Sequence, residues 1–236
     1  MHRTVHTGVQ AARWRLRDRL AAGSQIRIAY SALAEARRGW RRISVCLIDE
    51  REHAKLALNA TIYTLDIGLA DADRQVFEAL ALRVARHPSE TEEHLWARVL
   101  AYCLEYVDGI AIGRGLSDPD APAIAVRDLT GALRAWIDVG LPDAARLHKA
   151  AKAAPRVAVY THRDPGQLVR ALGGERIHRA AALEIYAFDR ALIAELAART
   201  QRRMAIDLSV TGGHLYLSLG GHTMSGEVRR VELPAG

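Results

Sequence analysis

The run RVAVYTH, residues 156–162, limits the fold more than any other stretch of the chain. Its apolar residues follow one another without the polar alternation of a half-solvated strand. That is the pattern of a strand buried on both faces. The flanking sequence offers helices to do the burying. LPDAARLHKAAKAA precedes it and is stopped by Pro155, and DPGQLVRALG follows it. The rest of residues 56–236 can be read outward from this strand. NATIYTLDIGLA is expected as a strand. DADRQVFEALALRVARH is expected as a helix, capped by Asp71 or Asp73 and stopped by Pro88. A second helix is expected from Ser89 to near Asp108-Gly109. IAIGRG, AIAVRDL, LRAWIDVG and ALEIYAF read as strands, and DRALIAELAARTQ as a helix capped by Asp189. MAIDLSV, HLYLSL and GEVRRVEL read as three C-terminal strands, the second entered by the Gly212-Gly213 turn. The class implied is α/β: one domain over 56–236, a mixed β-sheet with flanking helices and hairpins at its ends.

Residues 1–55 differ in kind. RWRLRDR and EARRGWRR are basic without a clean period. The net charge of +6 and the pI of 9.7 are concentrated there. The first 55 residues hold 12 Lys and Arg against 5 Asp and Glu. That leaves 21 of the 33 basic and 22 of the 27 acidic residues for 56–236. The high pI is therefore no evidence that the main body binds nucleic acid. The segment is expected to lie outside the folded domain, as a disordered basic arm or as translated sequence upstream of the true start. The two cysteines, Cys46 and Cys103, show no C-x-x-C spacing, which fits a reducing cytoplasm. No apolar run approaches the ~20 residues of a membrane helix. H-E-x-x-H, the P-loop and the Rossmann fingerprint are absent.

The chemistry-bearing residues are acidic. In RHPSETEEHLWARVLAYCLEY, residues 86–106, Ser89 and Glu92 form an S-x-x-E capping box and Glu90 meets the positive end of the helix dipole. Trp96, Val99, Leu100, Cys103, Leu104 and Val107 form an apolar stripe, with Glu93 on its edge. Glu93 thus points toward a core without a local role, and a buried carboxylate needs a partner, a proton or a metal. In RAWIDVG, Asp138 shares a strand face with Trp136, an unusual place for an aspartate. Asp128 ends the preceding strand. If those two strands pair and the Ser89 helix packs on them, Glu93, Asp128 and Asp138 converge, and Mg²⁺ or Mn²⁺ would relieve their repulsion. On that view Asp138→Asn costs little stability in the metal-free protein, or adds some. Trp96, Trp136 and Cys103 read as core residues. Arg86, Arg98 and Arg127 would grip phosphate or pair with the acids.

The order helix with Glu, strand, strand ending in Asp, strand with Asp-x-x, helix, strand resembles the core of the PD-(D/E)XK nuclease superfamily. That resemblance implies an αβββαβ unit in which a metal activates water against a phosphodiester. The third-strand motif here reads Asp138-Val139-Gly140, with glycine in place of lysine. Lys149 or Lys152 on the next helix would be the substitute, though both lie off its buried stripe and read more readily as solvated. LALNATIY, ARHPSET, RDLTGALRAWIDVGLPD and RLHKA, in this order, resemble the YaeQ family of bacterial proteins from about Leu56 to the C-terminus. That family's fold is regarded as a variation on the same core, and it comes with no established reaction. Carried over, the resemblance implies a catalytic set of Glu93, Asp128, Asp138 and Lys149, the three acids being the metal ligands. The function expected is a Mg²⁺-dependent phosphodiesterase or nuclease with nucleic acid as partner. The rival is a non-catalytic nucleic-acid- or protein-binding regulatory module that keeps the fold.

Overall fold

The computed structural model describes residues 60–113, 118 and 120–233. The expectations for residues 1–55 lie outside them. The first described elements form a hairpin, β1 (Thr61–Asp71) and β2 (Val76–Arg86), in which Thr61 stands opposite Arg86 and Asp71 opposite Val76. This corrects the helix expected over DADRQVFEALALRVARH. Ala, Leu and Arg favour a helix by propensity, yet Leu80, Leu82 and Val84 also repeat at period two. Those three are buried, as are Tyr63, Leu65, Ile67 and Leu69 of β1, and tertiary pairing outweighs propensity. Asp71 caps a turn instead, its Oδ1 accepting from the Arg74 N–H at 3.0 Å. Gln75 completes that turn at φ 59°.

Helix α1 (Glu92–Leu104) follows. All ten residues from Leu95 to Leu104 are buried, Arg98 among them, so the helix is enclosed on every side and not only along the expected stripe. Then come β3 (Ile110–Ile112), β4 (Ile124–Arg127), β5 (Leu133–Val139), α2 (Ala144–Ala153), β6 (Arg156–Thr161), α3 (Pro165–Leu172), β7 (Leu183–Phe188) and α4 (Arg190–Ala198). The meander β8 (Arg203–Thr211), β9 (His214–Leu219), β10 (His222–Val231) comes last among the described elements.

Among the described residues ten strands form one mixed sheet in the order β2-β1-β8-β9-β10-β7-β6-β5-β4-β3. β5, β6 and β7 run parallel, as do β1 and β8. The other neighbours are antiparallel. The apolar run 156–161 is β6, and it is buried on both faces as expected. Ala158 and Tyr160 join the larger core with α1, α4 and the inner residues of β1, β2, β8 and β9. Val157 and Val159 join Trp136 in a second core beneath Leu147 of α2 and Leu168 of α3. The sheet around β5 and β6 therefore carries α1 on one face and α2 on the other. Among the described residues no helix is long and apolar enough to cross a membrane.

Candidate functional site

A buried carboxylate does stand before α1, but it is Glu90. Glu93 is exposed. The N-cap is Thr91, whose hydroxyl accepts from the His94 N–H at 3.2 Å, and not Ser89. Glu93 therefore falls in a first turn that solvent reaches. Glu90 precedes the helix, where a helical wheel does not apply, and the RHPSET loop turns it inward. Its Oε2 accepts from Arg98 Nη2 at 3.1 Å and from the His87 N–H at 3.3 Å. Its carbonyl accepts from Arg86 Nη1 at 2.7 Å. Arg98 is 1% exposed and also donates to the Ala85 carbonyl at 2.8 Å. Desolvation raises the Glu90 carboxyl above its ordinary range, against the pull of Arg98. Burial lowers the Arg98 guanidinium, with Glu90 opposing. Of the two readings open for Arg98, the ion pair holds. Ser89 serves the loop by meeting His87 Nδ1 at 2.6 Å.

Strands β4 and β5 pair as expected, yet Asp128 and Asp138 do not meet. Asp128 lies in the exposed turn between them. Its Oδ1 accepts from the Thr130 hydroxyl at 2.6 Å, the Thr130 N–H at 2.9 Å and the Ala132 N–H at 3.1 Å. The hydroxyl bond leads in holding this carboxyl below its usual range. Asp138 sits at the other end of β5, six residues past the turn, or about 20 Å at the strand rise. It is 2% exposed and shares the Trp136 face, as the sequence suggests. Both of its oxygens are taken by Arg146 of α2, through Nε at 2.7 Å and Nη2 at 2.7 Å. Arg146 Nη2 also donates to the Ala121 carbonyl at 2.8 Å, and the guanidinium lies 5.6 Å from the Trp136 ring centroid. α1, which carries Glu93, packs instead on the Ile137 face. The expected triad is thus divided by the sheet and by the length of β5. Among the described residues no three His, Cys, Asp or Glu side chains gather to hold a metal ion. A divalent cation does not fit this set of residues.

Lys149 is exposed and pairs with Asp120 at 2.5 Å, and Lys152 is exposed in the last turn of α2. Gly140, at the position where the resemblance to the PD-(D/E)XK core would place a lysine, has φ 95°. A Cβ there would come within 3.2 Å of the His94 ring. His94 in turn meets His162 edge to face at 5.6 Å. Burial leads in lowering the His94 pKa to about 4, and it also lowers that of His162. The residues that sequence reasoning missed are Arg146 and Asp120. One signal was present: Arg146 is three residues past the Asp143 cap of α2, whose carboxylate accepts from the Arg146 N–H at 2.8 Å. The arrangement places two acids and two cations, each acid paired, on the α2 side of β4 and β5.

Comparison with known proteins agrees with the fold. A family model described as YaeQ protein matches residues 56–228. The uncharacterized protein YaeQ of Escherichia coli (strain K12) is 34% identical over 165 residues, covering 69% of this chain and 91% of that protein. The same protein of Salmonella typhi aligns over the same length at 34%. The crystal structure of YaeQ protein from Pseudomonas syringae superposes with a TM-score of 0.66 at 29% identity, covering 73% of this chain and 96% of that one. The YaeQ protein from Xanthomonas axonopodis pv. citri also gives 0.66 at 29%, covering 75% and 100%.

Proposed function

The chain belongs to the YaeQ family, and from that premise we propose that it is a variation on the PD-(D/E)XK core that works by binding a macromolecule rather than by metal-dependent cleavage. The run α1-β3-β4-β5-α2-β6 reproduces the αβββαβ order and supports the superfamily part of this reading. The functional part rests on one observation. The Asp138 carboxylate, the centre of any such metal site, is buried and has both oxygens committed to the partly exposed Arg146. A bidentate guanidinium supplies the positive charge a metal would otherwise bring. The near-neutral balance of residues 56–236 supports a protein partner over a polyphosphate one.

A second reading, a Mg²⁺- or Mn²⁺-dependent phosphodiesterase, is favoured by Lys149, which stands on the same helix as Arg146 and pairs with Asp120 of the loop before β4. Titration calorimetry of the full chain with Mn²⁺, alongside cleavage assays on DNA and RNA, separates the two. The binding reading expects no saturable Mn²⁺ uptake and no cleavage. Mn²⁺ binding that Asp138→Asn abolishes would overturn it in favour of the enzyme.

A further inference from the structure

The face of the sheet that carries α2 and α3 is covered on one half only. Over β5, β6 and β7 the two helices close a core around Trp136, Val159 and Ile185. The same face runs on across β10, β9, β8, β1 and β2, since residues opposite one another in a ladder point to the same side. Among the described residues no helix lies on that half; α1 and α4 pack on the opposite face, against Leu65, Leu82, Leu208 and Leu217. The residues of the bare half stand in rows across the strands. Arg83 and Arg203 flank Thr64 in one row. Asp66 lies in the next, between Ala81 and Ala205. Asp207 lies in the third, beside Gly68.

An open strand face ordinarily carries polar side chains. Gly68, Ala70, Ala79, Ala81, Ala85 and Ala205 occupy this one, all at least partly exposed, although strands disfavour alanine and glycine. Short side chains let a second sheet approach closely, and stacked sheets keep their strands within about 30° of each other. The charges suit a copy of the same face. Two arginines and two aspartates cancel, so two copies do not repel. With its strands reversed, the second copy brings its aspartate rows over the arginine row of the first, and the reverse holds by symmetry. Four strands at about 4.8 Å and nine residues at about 3.3 Å give a footprint of roughly 19 by 30 Å. That is about 570 Å² before side chains corrugate it, on the scale of the ~800 Å² that each partner gives a standard interface.

We propose that this bare half-face is the interface of a homodimer, in which a second copy of the chain lays the same face against it with its strands running the opposite way. The interface is independent of the function proposed above, since it needs neither Asp138 nor a metal, and its test leaves the Mn²⁺ and cleavage results untouched. Sedimentation equilibrium of the full chain at about 1 to 100 μM is expected to show monomer and dimer in exchange, with a Kd below about 10 μM. Ala205→Lys plants a long charged side chain near the centre of the face and should raise that Kd at least about tenfold. Ala79→Lys, two strands away on β2, makes the same test and serves if circular dichroism shows that Ala205→Lys does not fold. Ala171→Lys, at an exposed position on α3, should leave the Kd unchanged. A wild type that stays monomeric throughout, or a dimer whose Kd the folded face variants do not raise, overturns the proposal.

Discussion

Asp138→Asn is the substitution on which the two views of this chain disagree in sign. A free carboxylate crowded by other acids would be relieved by the change. A carboxylate chelated by Arg146 is a structural partner, and its loss strands a guanidinium. Breaking a fully buried pair from one side costs about 3–5 kcal/mol. Arg146 is 24% exposed, and it keeps the Ala121 carbonyl and the Trp136 ring. That charge is therefore partly solvated, which places the expected loss below that range, at about 2–3 kcal/mol. For a domain of this size that is a fall in Tm of roughly 5–10 °C. Urea unfolding in EDTA, followed by far-UV circular dichroism, measures it without any metal contribution. Asp138→Asn/Arg146→Met should cost less than the two single changes added together, since the second change removes the stranded group. An Asp138→Asn protein as stable as the wild type would refute the ion-pair account and restore the crowded-acid one.

Three further outcomes are expected. Glu90→Gln should destabilise by about 2–4 kcal/mol, because it leaves buried Arg98 without its counter-charge, while Glu93→Gln at its exposed position should stay within about 0.5 kcal/mol; equal effects in urea unfolding would contradict the placement of the two. His94 has a folded pKa of about 4 against 6.5 for the free side chain, so the unfolded chain takes up its proton first and stability should fall as the pH drops through that window, by on the order of 3 kcal/mol. His162 adds to this fall and the raised Glu90 carboxyl opposes it; Tm measured across that pH range should drop less steeply in His94→Gln, and parallel curves would refute the assignment. Gln75→Gly should stabilise the β1–β2 turn by up to about 1 kcal/mol, since Gln75 holds φ 59°, and a loss of Tm would show that the Gln75 Nε2 bond to the Ala72 carbonyl outweighs that strain.

The α/β class, the doubly buried β6 and the C-terminal meander were all legible, because each rests on a period or an uninterrupted apolar run. β2 was not, since its Leu and Ala residues satisfy helical and strand spacing together and only the pairing with β1 decides. Asp138 was recognisable as an oddity inside a strand, and it is buried. Its meaning was hidden because the partner lies across a loop on the next helix, where no period links Arg146 to it. Glu90 reads in the sequence as a helix-start residue, because its partner Arg98 comes eight positions later and reaches back to a carboxylate lying ahead of the helix. For Asp138 the acid shows in the sequence and the arginine that neutralises it does not; for Glu90 both residues show, but nothing in their spacing joins them.

The parallel pairing of β1 with β8 sets a timetable for synthesis. Thr64 lies opposite Arg203, so β1 waits about 140 residues for the neighbour on its inner edge. At ribosomal speeds that is on the order of ten seconds. Through that interval the β1–β2 hairpin and the apolar sides of α1 have emerged while the meander that covers them has not. The nascent chain is therefore a natural client for chaperones that hold exposed strand edges, and deleting β8 to β10 should trap it as one.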